Sequence, residues 1–222
     1  MGTSGWSYRE WVGGLYPAAT PASRMLAAYA ERLATVEAHN TFRRRPRAST
    51  LESWAATVPS GFRFALKAHV AITHQRELAG VEDRITTFFD SLSPLGDHVG
   101  PVLFQLPHRD VDLARLDRLL GALPPSPPAA FELGPAWNRT DVLHRLDDAG
   151  ATLVVVDKDG DDPALPDVGS LVYVRLRRDH YDKRVLARWA ARLAGAGRPA
   201  YVYLRHEGDP LEAVRLLDAV RA

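Results

Sequence analysis

The chain has 222 residues, 46% of them apolar and 25% charged, which is enough to bury one substantial core and is the usual size of a single α/β domain. Its 28 basic and 27 acidic side chains leave a net charge of +1, so no global field draws it to nucleic acid or to an anionic membrane. The lack of cysteine excludes disulfides, thiolate metal sites and a cysteine nucleophile.

No apolar run reaches membrane-spanning length. The opening Met1-Gly2-Thr3-Ser4-Gly5-Trp6 has neither the basic region nor the apolar core of a signal peptide, and Trp6 stands where myristoylation needs Ser or Thr. The expectation is a cytoplasmic protein with no membrane partner. All but three of the basic residues are Arg, the exceptions being Lys67, Lys158 and Lys183. With so much Ala, this points to a GC-rich coding bias, so a retained Lys carries more information than an Arg.

In chain order, short apolar runs alternate with helical spacing. Residues 2–4 form a brief strand candidate, followed by a helix on Leu26, Tyr29, Ala30 and Leu33. Strands are predicted at 35–38 and 63–67, then a helix on Ile85, Phe88, Phe89 and Leu92. A strand at 102–105 precedes a helix on Leu113, Leu116, Leu119, Leu120 and Leu123. Strand 129–133 leads to a helix carrying Val142, Leu143 and Leu146, which Gly150 closes. After strand 152–157, the Asp/Pro/Gly-rich stretch 158–169 predicts a loop. Strand 171–176 leads to a helix on Val185, Leu186, Trp189 and Leu193, and strand 200–204 to Asp209-Pro210, an N-cap and first-turn proline opening the last helix.

Most strand candidates are apolar on successive residues, as parallel strands covered on both faces are. Eight of them leave a closed barrel or an open doubly wound sheet. The first turn, Gly2-Thr3-Ser4-Gly5-Trp6-Ser7, has no G-x-G-x-x-G and leads into an aromatic loop, which disfavours a dinucleotide-binding sheet. The predicted fold class is α/β: a TIM-type (β/α)₈ barrel over residues 1–222 as a single domain, with a short or truncated first strand.

The strand ends read Ser4, Glu37, Lys67, Gln105, Glu132, Asp157 and Arg175, with Arg205 and His206 after the last. In such a barrel these ends converge on the mouth that carries chemistry. A charge at the end of an apolar strand is costly to desolvate unless it is paired or used. Each one taken singly is equally explained by a structural ion pair. Glu37 and Glu132 are the candidate general acid and base, and Lys67 a third catalytic candidate, as a charge or as an amine nucleophile. The substrate-binding candidates are Ser4, Trp6, Tyr8, His74, Gln105, Asp157, Arg175, Arg205 and His206, with Arg175 suited to a phosphate or carboxylate. Asp157, Glu37, Glu132 and His74 are together a divalent-metal set that no local motif supports, so a metal is not favoured and the cofactor stays unknown. Trp6, Tyr8, Trp11 and Tyr16 form either a stacking wall for a sugar or base, or a small core pinning the first loop. Arg43-Arg44-Arg45-Pro46-Arg47 is either a phosphate-contacting patch or a solvated loop.

These residues resemble the YecE-like TIM-barrel family, a family of domains of unknown function. The matching pieces are Gly2-Thr3-Ser4-Gly5-Trp6-Ser7-Tyr8, Trp11, Tyr16-Pro17, Thr35-Val36-Glu37 and Thr41-Phe42. They continue through Trp54, Phe62-Arg63-Phe64, Lys67-Ala68, Thr73-His74, Leu103-Phe104-Gln105-Leu106-Pro107 and Ala130-Phe131-Glu132, then Trp137, Val174-Arg175 and Tyr201-Val202-Tyr203. The resemblance implies a TIM barrel with a polar site at the strand C-termini, and no particular reaction. It also marks departures. His39 stands for a usual Asn, and Phe42-Arg43-Arg44 for Phe-Tyr-Arg. Gly134 stands in place of an Arg-His pair, Arg175-Leu176-Arg177 for Arg-x-His, and Arg205-His206 for Asn-Asn. The family's first strand begins several residues earlier, so either strand one is very short or Met1 lies downstream of the true start, which would leave an unpaired edge.

Three functions compete. One is an enzyme (hydrolase, lyase or isomerase) acting on a small anionic or phosphorylated substrate, with Glu37 and Glu132 as acid and base and Lys67 and Arg175 as charge clamps. The second is a nucleic-acid or nucleotide binding or processing protein. The third is a barrel that binds a metabolite without turning it over.

Overall fold

The computed structural model describes residues 1–74, 80–106, 111–158, 160 and 162–221. Its strands are β1 (Gly2–Thr3), β2 (Thr35–Ala38), β3 (Arg63–Lys67), β4 (Val99–Gln105), β5 (Ala129–Glu132), β6 (Thr152–Asp157), β7 (Val172–Leu176) and β8 (Ala200–Leu204). All pair in parallel, in the order β1-β8-β7-β6-β5-β4-β3-β2. The helices are α1 (Met25–Ala30), α2 (Ala48–Thr57), α3 (Val70–Thr73), α4 (Val81–Asp90), α5 (Leu113–Gly121), α6 (Thr140–Asp148), α7 (Lys183–Ala194) and α8 (Leu211–Arg221). None of the described helices is long and apolar enough to cross a membrane.

The local signals act as read. Gly150 takes φ +65° after α6, and the Ala151 N–H reaches back to the Leu146 carbonyl; only a residue without Cβ adopts that turn cheaply. The Asp209 carboxylate accepts from the Leu211 N–H at 2.9 Å. No helix separates β6 from β7 among the described residues. β4 starts three residues earlier than its apolar run suggests, because Val99 pairs with Phe64. Pro107 of the Phe-Gln-Leu-Pro motif lies outside the described residues.

The sheet closes between β1 and β2, where the ladder shrinks to one bridge, Ser4 to Glu37. There the Gly5 N–H donates to the Glu37 carbonyl at 2.9 Å. Below that bridge the Tyr29 hydroxyl of α1 replaces backbone pairing: it accepts from the Thr3 N–H (2.8 Å) and lies 3.0 Å from the Thr35 carbonyl, to which it donates. A buried backbone group left unmatched would cost about 1–3 kcal/mol, so this phenol seals the seam that the two-residue β1 leaves open. Gly2 is needed beside it, since a Cβ there would lie 2.0 Å from the Thr35 carbonyl oxygen. The barrel is therefore closed with a short first strand, and β1 is not an unpaired edge.

Strand parity divides the side chains into two sets. Phe64, Phe104, Phe131 and Val174 face out and pack in the larger core with helical residues such as Trp189. Ala65, Leu103, Ala130, Val154, Leu171, Tyr173 and Tyr203 form a separate buried cluster, the filling of the barrel. Moving two residues along each strand toward its C-terminus leads from this apolar layer to the mouth.

Candidate functional site

The first inward position above the apolar layer carries Lys67, Gln105, Glu132, Val156 and Arg175 on β3 to β7. The next carries Lys158, Arg177 and Arg205, with Ser4 and His39 from β1 and β2 completing the ring. All of them line one cavity of about 1040 Å³ at the C-terminal mouth, together with His206, Glu207, Arg43, Phe42 and Trp137.

Beneath this cavity Glu37 is fully buried. Its Oε1 accepts from Ser4 Oγ (3.1 Å), Arg175 Nη2 (3.0 Å) and Arg177 Nη2 (3.1 Å), with His39 Nε2 3.3 Å away. Its Oε2 accepts from the Tyr173 hydroxyl at 2.6 Å. Burial by itself would raise the Glu37 pKa. The charges of Arg175 and Arg177, His39 and the Tyr173 hydroxyl outweigh it and hold the carboxyl well below the usual carboxylate range. Burial, opposed by Glu37 and reinforced by Arg175 and Arg177, pushes the His39 imidazole below its ordinary 6.5, so His39 faces the carboxylate neutral at pH 7. A carboxylate held this firmly has little capacity to exchange a proton. The geometry encloses Glu37 as a buried carboxylate with donors on both oxygens, away from the cavity lining.

Glu132 lies higher and touches the cavity. Gln105 Nε2 donates to its Oε1 at 2.7 Å and Arg175 Nη1 to its Oε2. Arg175 thus joins Glu37 to the wall, its two terminal nitrogens on two different carboxylates. Burial lowers the Arg175 pKa, but Glu37 and Glu132 more than reverse this and keep it cationic. Lys67 donates to Gln105 Oε1 and stands 4.1 Å from the centre of the Phe42 ring.

Besides Glu37, four residues chosen from the sequence stand apart from the cavity lining. Asp157 is one step out of phase with Val154 and Val156, so it faces the helices. Its carboxylate accepts from Arg178 Nε (2.8 Å) and Trp189 Nε1 (3.0 Å) and ties α7 to β6. His74 meets Thr73 Oγ1 through Nδ1 (2.8 Å) and lies edge-on to Phe42. Trp6 packs edge-on to Trp54 and Phe64, and the Tyr16 hydroxyl donates to its carbonyl. Tyr8 donates to the Ser4 carbonyl at 2.9 Å and stacks on His206, bracing that ring without reaching the lining. The first loop is accordingly a small core. The metal set weighed from the sequence does not assemble either: Glu37 is enclosed by donors and Asp157 points outward. Among the described residues no group of three or more His, Asp or Glu stands where it could hold an ion.

The sequence reading passed over Tyr173, Lys158, Arg177 and His39 as site residues. Each sits at even spacing from an inward neighbour (Arg175, Val156, Arg175 and Glu37), so counting by two along each strand would have found them. Of the Arg43–Arg47 loop, Arg43 lines the mouth, and Arg45 lines a second cavity of about 270 Å³ beside α3 and α4.

The geometry agrees with what the chain is similar to. Over 107 residues, 48% of this chain, it is 29% identical to the UPF0759 protein YecE of Escherichia coli K12, and the match spans 37% of that relative, as it does for the protein of the same name in strain O157:H7. The crystal structure of a DUF72 family protein from Thermotoga maritima MSB8 superposes with a TM-score of 0.83 at 21% identity, covering 100% of this chain and 98% of the other. One from Enterococcus faecalis V583 gives 0.73 at 21%, covering 91% and 96%. Likeness at that identity speaks for the barrel alone. The family model described as "Protein of unknown function DUF72" matches residues 1–222, and with the whole chain matched, this TIM barrel belongs to the DUF72 family.

Proposed function

We propose that the mouth binds a small anionic, phosphorylated compound and acts on it, with Glu132 as the group that moves the proton. The observation that carries this reading is the charge of the cavity. Its lining has Arg43, Lys67, Lys158, Arg175, Arg177 and Arg205 against only Glu132 and Glu207, on a chain whose net charge is +1. Low-dielectric walls focus such a field and favour an anion. Arg43 offers a guanidinium fork that matches phosphate oxygens, and Arg177, bound through Nη2 to Glu37 and through Nη1 to the Tyr203 carbonyl, adds its charge. Arg175 is already committed to two carboxylates and orients Glu132 more than it holds ligand.

Glu132 suits proton transfer because Gln105 and Arg175 fix its carboxylate while one side meets the cavity. The nucleic-acid reading loses its stacking wall, since Trp6 and Tyr8 are packed into the first loop. A non-catalytic metabolite barrel shares the same cationic mouth, and turnover separates the two.

The test is incubation with pools of phosphorylated metabolites, followed by mass spectrometry. A conversion is expected that Glu132→Gln abolishes while the circular dichroism spectrum is kept. Binding without conversion by the wild-type chain would support the non-catalytic barrel, and conversion by Glu132→Gln at the wild-type rate would remove Glu132 from the chemistry.

A further inference from the structure

We propose that Lys67 is an amine nucleophile that condenses with the carbonyl group of a small anionic aldehyde or ketone, making the mouth a site of imine chemistry. The inference rests on the anion-binding reading above and names the substrate class within it.

Lys67 ends β3 two residues above Ala65 and reaches the cavity wall. Its Nζ has the Gln105 amide oxygen and the Phe42 ring as neighbours, and among the described residues it forms no ion pair. The charged and titratable groups around it are Glu132 on β5, Glu37 on β2 and His39 just after it, and Arg175 on β7 and Arg177 just after it. Burial, and after it the charge of Arg175, push the ammonium below its ordinary pKa of 10.5 against the opposing pull of Glu132 and Glu37. Two cations therefore sit beside a lysine that lacks a salt bridge. That is an environment for an amine that must shed its proton, because a desolvated lysine next to fixed positive charge is activated as a nucleophile. Arginine could not serve here, since it keeps its proton. In a chain where Arg supplies nearly every basic position, a lysine at an inward strand end is consistent with a need for amine chemistry.

The step balances without an outside reagent. The ammonium gives a proton to the Glu132 carboxylate by way of solvent in the mouth that both side chains line. The freed lone pair forms a C–N bond to the carbonyl carbon as the C=O π pair moves to oxygen, which takes the proton that the amine nitrogen sheds. The carbinolamine hydroxyl then leaves as water with the proton returned by Glu132, and a protonated C=N bond remains. The net change is ammonium plus carbonyl to iminium plus water, with no oxidation or reduction. Arg43 would hold the anionic end of the substrate meanwhile, with the charge of Arg177 behind it.

Pyridoxal 5′-phosphate is a suitable probe, being both an aldehyde and a phosphate. The full chain is incubated with it at neutral pH and reduced with borohydride, which traps an imine as a secondary amine, and the labelled peptide is identified by mass spectrometry. The other two lysines, Lys158 at the same mouth and Lys183 on α7, are built-in comparators. Free amine grows about tenfold for each unit by which a pKa falls, so Lys67 is expected to carry more label than Lys158 or Lys183, and inorganic phosphate should suppress it. Lys67→Arg should abolish that adduct with the melting temperature kept. Label on Lys67 no higher than on Lys158 or Lys183 would overturn the proposal. If calorimetry still finds phosphate bound in that case, only the imine falls. If phosphate neither binds nor protects, the anionic substrate class falls with it.

Discussion

Glu37 and Glu132 share a residue type, a place at the end of a barrel strand and a partner, Arg175, yet they are set up for opposite tasks. Glu37 is enclosed by donors at the ends of β1 and β7, Ser4, Tyr173, Arg175 and Arg177, with His39 just after its own strand beside it. Glu132 receives two donors and meets the cavity. Position at a strand end brings a carboxylate to the mouth, but the donors around it decide how far it is enclosed. A buried charge fully matched by donors is a structural element, and Glu132, with one donor on each oxygen and a side on the cavity, is the carboxylate on which the proposed chemistry rests.

The comparison breaks most severely at Glu37. Glu37→Ala leaves Arg177 and one arm of Arg175 as buried, unmatched cations, and should destabilise the chain by about 3–5 kcal/mol, measured by urea denaturation. A loss no greater than that of Glu132→Gln in the same assay would mean the two carboxylates are equivalent after all. Tyr173→Phe takes away the one donor to Glu37 Oε2 and should cost about 1–3 kcal/mol, with near-native circular dichroism. The acid limb of stability sharpens the contrast further. The Glu37 carboxyl titrates lower in the folded chain than its ordinary 4.5, so on acidification the unfolded chain takes up that proton first. The stabilisation is complete above 4.5 and is lost as pH falls toward the folded value. His39 shifts in the same sense from 6.5, so it too favours unfolding as pH drops below 6.5. The midpoint-against-pH curve of His39→Asn should therefore be flatter between pH 6.5 and 5, the smallest of these effects. An unchanged slope would show that folding leaves the His39 pKa where it is in the unfolded chain.

Much of the barrel was legible in the residues. Runs such as Thr152–Asp157 and Ala200–Leu204 are apolar on consecutive positions, a pattern imposed by burial on both faces of a parallel sheet. The polar strand ends were legible for the same reason, as departures from that pattern. Direction was harder to read. Asp157 and Lys158 are adjacent, and the choice between them depends on phase: Val154 and Val156 fill or face the interior, so Lys158 lines the mouth and Asp157 turns to Trp189. The aromatic first loop misled in a different way. Trp6 and Tyr8 lie beside the mouth in the chain, but Trp54, Phe64 and His206 take up their faces.

The sequence by itself determined the succession of eight strands, the loop in place of a helix after β6, the caps at Gly150 and Asp209, and the set of charged strand ends, because each follows from periodicity or from the steric needs of one residue and its near neighbours. Only the tertiary structure decided which of those charges neutralise one another. Arg175 meets Glu37 across 138 residues and Glu132 across 43, and Tyr29 seals the seam between β1 and β2. Such pairings depend on barrel closure bringing distant strands to a common axis, and no local pattern in the chain encodes that distance.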